Sequence, residues 1–145
     1  IYGRPGPPPT DFQLPEGPVP SSEDVAAWDF PAHDLMRTML AALPDETVKV
    51  LVFVPYHWFR ILNEGPTERT KMDECKRRLT EIASSYANTH VLDFMIPSRI
   101  TREDAKYWGR VHFNVATATL FGEAIARGVA TRDNENDLFR YLGGS

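Results

Sequence analysis

The sequence predicts an α/β fold in which helices cover a parallel sheet. Thr47 to Val54 (TVKVLVFV) is a nearly apolar run rich in β-branched residues, the pattern of a strand buried on both faces, and His90 to Phe94 (HVLDF) reads as a second buried strand. Between them Met72, Cys75, Leu79, Ile82 and Tyr86 recur at i, i+3, i+7, i+10 and i+14. That is a one-sided apolar stripe over about four helical turns. A helix lying between two buried strands is a crossover, and crossovers join parallel strands.

The chain divides into a leader at 1–20, an α/β body at 21–130 and a polar tail at 131–145. The leader holds seven prolines, too many for a helix or a central strand, and reads as an extended strap or linker. Tyr2, Phe12 and Leu14 could pin it to a surface. Ser21-Ser22-Glu23-Asp24 is a helix-start signal for a short helix ending near Trp28. Pro31 suits the first turn of a second helix, with Leu35, Met39, Leu40 and Leu43 at helical spacing and Pro44 ending it. Thr67 is a candidate cap for the striped helix. Residues 95–111 read as a long loop. Asn114 can cap a last helix that Gly128 would stop. In the tail, Leu138, Phe139, Tyr141 and Leu142 form a small apolar cluster that docks as a short helix or stays loose.

Two strands make a poor sheet, and both read as interior strands. Either the leader and the tail supply further strands, or an upstream segment or a second chain completes the sheet. The interior character of both strands favours completion from outside, so the chain alone is not expected to behave as a stable monomer.

Composition excludes several function classes. At 145 residues, 42% hydrophobic and 25% charged, the chain suits one globular domain. A net charge of −4 gives no argument for nucleic acid or an anionic membrane surface as a partner, and neither nucleic acid nor a membrane span is expected. Lys76-Arg77-Arg78, the densest basic run, reads as a solvated helix face. The one cysteine, Cys75, rules out an intramolecular disulfide, makes a Cys/His zinc site an unlikely expectation, and reads as a small core residue on the stripe. The apolar run from Val50 to Pro55 is too short to span a bilayer. No two histidines stand at i, i+4, and GxSxG, P-loop and GxGxxG motifs are absent, so neither metal nor cofactor is expected. No signal peptide is visible and the chain begins at Ile1, which leaves the compartment open.

In open α/β sheets ligands bind beyond the carboxyl ends of the strands. Two loops leave such ends. One begins Pro55-Tyr56-His57-Trp58-Phe59-Arg60. The other ends Lys106-Tyr107-Trp108-Gly109-Arg110-Val111-His112-Phe113-Asn114. Each sets a histidine among aromatics, and a histidine titrates where a general base must. His112 precedes a capped helix and is the stronger candidate. His33 and His90 read as structural or exposed.

The stretch from Val48 to Ala126 resembles the carboxyl-terminal portion of SGNH (GDSL-like) hydrolases. The resemblance lies in Tyr107-Trp108-Gly109-Arg110-Val111-His112-Phe113, similar to that family's final block, in Val52-Phe53-Val54-Pro55-Tyr56-His57, and in Val91-Leu92-Asp93-Phe94. It implies a flavodoxin-like three-layer sandwich with a parallel sheet, of which this chain covers only part. It further implies a serine esterase or acyltransferase whose histidine is His112. The blocks that carry the nucleophile and the oxyanion hole have no counterpart here, and Gly109 stands where the family has its orienting aspartate. Asp104 lies nearby at a different spacing. The resemblance thus makes His112 and Asp104 the candidate catalytic residues, and Tyr56, His57 and Trp108 the candidate substrate-binding ones.

Two function classes follow. One is an ester hydrolase or O-acyltransferase, with a carbohydrate ester as the substrate suggested by family analogy and the serine supplied from outside this chain. The other is a catalytically degenerate module whose aromatics (Tyr56, Trp58, Tyr107, Trp108) bind a glycan or a protein partner.

Overall fold

A computed structural model describes residues 13–144, so Tyr2, Phe12 and most of the leader lie outside the described residues. The chain is mixed α/β. Helices α1 (Ser22–Ala27) and α2 (Pro31–Ala41) lead into β1 (Lys49–Phe53). Then come α3 (Trp58–Leu62), α4 (Pro66–Ala83), β2 (Thr89–Asp93), a 3₁₀ turn at Asp104–Lys106, α5 (Val115–Thr131) and β3 (Arg140–Gly144).

β2 is the central strand. It pairs parallel with β1, Leu51 opposite Val91, and antiparallel with β3, Leu92 opposite Tyr141. The two predicted strands and the crossover helix α4 are present, but the sheet is not purely parallel. The tail, read above as a short docked helix, a loose end or a source of a further strand, supplies the third strand. Its anchor is a turn in which Leu138 and Phe139 N–H both donate to the Glu135 carbonyl, with Arg99 and Arg127 paired to the Glu135 carboxylate at 3.0 and 3.2 Å. Leu138 and Phe139 are thereby driven into the core. Burying two large apolar side chains at roughly 1.5–3 kcal/mol each outweighs the poor strand propensity of a segment ending Gly143-Gly144.

Helices cover both faces of the sheet. On one face Gly128 of α5 meets Leu92, in a core built from Phe94, Ile100, Tyr107, Ala124 and Phe139. On the other, α4 lies against β2 and β3 and carries α1 and α2 on its outer side.

Local signals explain the helix ends. Ser21 and Asp24 form a reciprocal capping box on α1, and the Asn114 side chain accepts from Thr117 N–H at α5. Thr67 does not cap α4, where Gly65 holds the cap position; its hydroxyl instead donates to the Pro18 carbonyl and ties the end of the leader down. Leu14 is exposed. The apolar stripe read for α2 is split: Leu35, Met39 and, just past the helix, Leu43 are exposed, whereas Leu40 is buried together with His33. Arg77 alone of the basic run is a solvated residue. Arg78 donates to the Trp28 and Val25 carbonyls at the end of α1, and Lys76 reaches into the sheet. Cys75 is half-buried, its sulfur 3.4 Å from His33 Nε2, and burial pushes its thiol above the ordinary value.

Gly128 does not stop α5. The helix runs on to Thr131 and ends on Arg132 in the left-handed conformation (φ 57°). Gly128 is there for close approach: a Cβ would sit 2.3 Å from Leu92 Cδ2 and 2.9 Å from Phe139 Cε2. Gly122, in the same helix, has nothing within 4 Å of such a Cβ. The two positions should therefore respond to alanine with opposite signs. Gly122→Ala gains about 0.5–1 kcal/mol from helix propensity. Gly128→Ala loses about 1–2 kcal/mol net, because overpacking outweighs that gain. Urea unfolding of the two variants checks this; equal shifts of one sign would refute the close approach.

His33 and His90 are both buried, and burial pushes both imidazoles below the ordinary histidine value. Arg37 and Arg78 add to the effect at His33, and Arg132 at His90. His90 Nδ1 bonds the Tyr141 hydroxyl at 2.9 Å and so links β2 to β3. In the unfolded chain these rings take up protons near pH 6.5, whereas the folded state resists. Below about pH 6.5 the unfolded state thus binds more protons, and stability falls as pH falls. The thermal midpoint should drop between about pH 7 and about pH 5, and His90→Gln should flatten part of that slope. A midpoint unchanged over this interval would refute the linkage.

Candidate functional site

Three loops meet beyond the carboxyl end of β1, and backbone hydrogen bonds lace them together. The chain after β1 (Val54 to His57) starts α3, where His57 N–H donates to the Arg110 carbonyl at 2.9 Å and Trp58 N–H to the Thr101 carbonyl at 2.8 Å. The loop from Met95 to Glu103 is held from within: Ser98 N–H donates to Thr101 Oγ1, whose hydroxyl donates to the Ile96 carbonyl, both at 2.7 Å. The third loop is a short hairpin. Tyr107 pairs antiparallel with Phe113, Trp108 N–H donates to the His112 carbonyl, and Asn114 N–H to the Lys106 carbonyl, both at 2.8 Å.

His57 and Asp104 form the buried centre of this junction. The His57 ring is fully buried, with Nε2 2.9 Å from Asp104 Oδ1 and Tyr107 packed edge-on at 5.1 Å. Its Nδ1 accepts from Phe59 N–H at 3.3 Å and so caps α3. With Nδ1 accepting, the proton sits on Nε2 and is donated to the carboxylate. Both nitrogens are committed, and the ring has neither surface nor donor left for a substrate. The sequence made His57 a substrate-binding candidate; buried and fully bonded, it instead holds the loops together.

Asp104 is therefore engaged with His57. Its side chain is 32% exposed and forms one wall of a cleft of about 540 Å³ lined also by Trp58, Arg102, Glu103 and Ala105. Trp58 is half-buried and lines that cleft with Asp104 and Glu103. Tyr56 is half-buried, whereas Tyr107 is a core residue whose hydroxyl donates to the Pro55 carbonyl at 3.2 Å. Burial pushes the Tyr107 phenol up, so it stays protonated as that donor. The four aromatics expected to line one cleft are thus divided between core and surface.

His112 lies on the exposed turn of the hairpin, two residues before the Asn114 cap. Around it Trp108, Val111 and Val115 are exposed, at 55%, 37% and 69%. Gly109, on the same turn, is buried, and its backbone is not left-handed. Arg110 stacks its guanidinium 4.8 Å from the Phe59 ring and so fastens the turn to α3.

A second polar centre lies at the end of β2. Asp93 Oδ2 pairs with Lys76 Nζ at 2.7 Å, and its Oδ1 accepts from Met95 N–H at 2.9 Å. Lys76 also stands 5.6 Å from the Phe53 ring. The pair opens onto a cleft of about 530 Å³ shared with Met95, Arg140 and Leu142. The signal in the sequence was a lone acid closing an apolar strand.

Among the described residues no group of three or more His, Cys, Asp and Glu side chains could hold a metal ion, and no helix is long and apolar enough to cross a membrane. Comparison with protein-family models, curated proteins and solved structures finds no match.

Proposed function

We propose that this chain is the base-bearing part of an SGNH-like serine ester hydrolase or O-acyltransferase, with His112 as the base and the serine supplied from outside the chain. The observation that carries this reading is an exposed histidine on a fastened turn, rimmed by exposed Trp108, Val111 and Val115. Large apolar side chains gathered at one polar, titratable group mark a surface that receives something. A flavodoxin-like domain belongs to the same reading: the parallel β1–α4–β2 unit is its building block. Its sheet is then completed by an upstream segment or a second chain.

In this chemistry the serine hydroxyl adds to the ester carbonyl while His112 takes its proton. The tetrahedral intermediate collapses, and His112 returns the proton to the departing alkoxide. Water, or an acceptor alcohol in a transferase, then attacks the acyl-enzyme by the same route in reverse. A carbohydrate ester fits the half-buried Trp58 beside Asp104, since aromatic faces stack on sugars and carboxylates accept from hydroxyls.

A second reading, a degenerate module that binds a glycan or protein partner, is favoured by one observation: Asp104 is engaged with His57, and Gly109 has no side chain with which to replace it. Hydrolysis of p-nitrophenyl acetate by the assembled protein, with and without His112→Ala, separates the two. Activity lost with the histidine supports the enzyme. No activity in either form supports the module.

A further inference from the structure

β1 ends the sheet among the described residues, and its edge is built unlike the edge formed by β3. Lys49 N–H donates to the Asn88 carbonyl, and the Phe53 carbonyl accepts from Phe94 N–H. Peptide groups alternate in direction along a strand, so residues 49, 51 and 53 point theirs at β2, and Val48, Val50, Val52 and Val54 point theirs away. At the opposite edge the ladder is broken: the register between β2 and β3 shifts at Leu142, and Gly143 follows at φ 147°. Bulges and glycines blunt an edge against further pairing. β1 has no such device. Its run is regular and apolar, and its one charge, Lys49, is buried with its ammonium on the Ala87 carbonyl. Val48 and Val54, at its two ends, are 58% and 37% exposed.

We propose that β1 pairs antiparallel with β1 of a second copy of this chain, about a two-fold axis at Leu51. In that register Val48 lies opposite Val54 of the second copy, and Val50 opposite its Val52. Every outward peptide group then meets an outward peptide group, and the exposed end valines cover each other. Moving the register by two residues either way sets Val54 against Glu46, or Val48 against Tyr56 beyond Pro55, which has no N–H to give. Valine against valine carries no like-charge repulsion between identical copies. The product is a closed, isologous six-stranded sheet that ends on a blunted β3 at both sides. This pairing is one of the two ways of completing the sheet and is independent of any role for His112.

Sedimentation equilibrium of the 145-residue chain over a range of concentrations tests it. A monomer–dimer equilibrium is expected. Val48→Lys with Val54→Lys sets lysine against lysine at both ends and should weaken the dimer by more than about tenfold. Val48→Glu with Val54→Lys sets glutamate against lysine and should restore it. Both sites are solvent-exposed, so far-UV circular dichroism should stay unchanged. In the unsubstituted chain, the amides of Val50 and Val52 should exchange more slowly as concentration rises. A monomer at every concentration, a dimer indifferent to the double lysine variant, a charge-swapped variant that stays monomeric, or Val50 and Val52 amides that exchange freely in the dimer would each overturn the pairing.

Discussion

Replacing Lys76 with methionine should lower the unfolding free energy by about 3–5 kcal/mol. The Lys76 side chain is 12% exposed and the Asp93 carboxylate 3%, so the pair at the end of β2 is taken out of water almost entirely. Methionine matches much of the lysine stem and keeps its packing against Phe53, but it removes the ammonium. The carboxylate is left with the Met95 N–H alone. A buried charge stripped of its partner bears its full desolvation cost, which exceeds what the intact pair contributes. The double variant Lys76→Met with Asp93→Asn isolates that effect. Asparagine still accepts from Met95 N–H but carries no charge, so most of the lost stability should return. Urea midpoints of the four proteins close the cycle. A single variant within about 1 kcal/mol of the parent would mean that the pair is hydrated in solution.

The elements legible in the sequence are those whose pattern is local. The β-branched run of β1, the short apolar core of β2, the stripe of α4 and the side-chain caps at Ser21 and Asn114 each state their conformation within a few residues. β3 does not. Arg140 to Gly144 has little strand propensity, and it pairs because Leu138 and Phe139, just before it, fill the core beside β2. The split stripe of α2 has a similar origin. Periodicity marks a helix and an apolar face, but which face is buried depends on where α4 lies, and that contact selects His33 and Leu40. Gly128 shows the same limit in reverse: a glycine near a helix end reads as a stop until the distance to Leu92 is known.

The candidate site divides along the same line. His112 was legible as a residue on a loop at the carboxyl end of the sheet, and it lies exposed there. The fate of His57 was not legible. Whether a histidine beside a tryptophan faces solvent is decided by the hairpin 107–113, which folds back over it, and by Asp104, which stands 47 positions away in sequence. The spacing that made Asp104 a poor match to the family's acid is the spacing that sets it on His57. The Lys76–Asp93 pair joins two elements, and neither one alone suggests it.

On the proposed reading of His112 as the base, His112→Ala should lower ester hydrolysis by the assembled protein about 10²–10⁴-fold, the usual contribution of a positioned general base. The starting rate should itself be weak. In a Ser-His-Asp triad the acid fixes the tautomer and stabilises the imidazolium, and disabling it in a serine protease lowers turnover about 10⁴-fold. Asp104 is engaged with His57, and Gly109 offers no side chain. On the proposed SGNH-like reading, Gly109→Asp places a carboxylate where the resembled family has its acid, at a position that is buried and whose φ is not left-handed. If the resemblance gives the right geometry, a carboxylate there should raise the rate at least about tenfold, or about 1.4 kcal/mol of barrier. The gain must vanish in the Gly109→Asp, His112→Ala double variant, because the acid acts only through the histidine. Strong parental activity unchanged by Gly109→Asp would mean that another group already orients the base. Activity that survives His112→Ala would remove the histidine from the reaction, and the exposed Trp108, Val111 and Val115 would then be read as a docking surface alone.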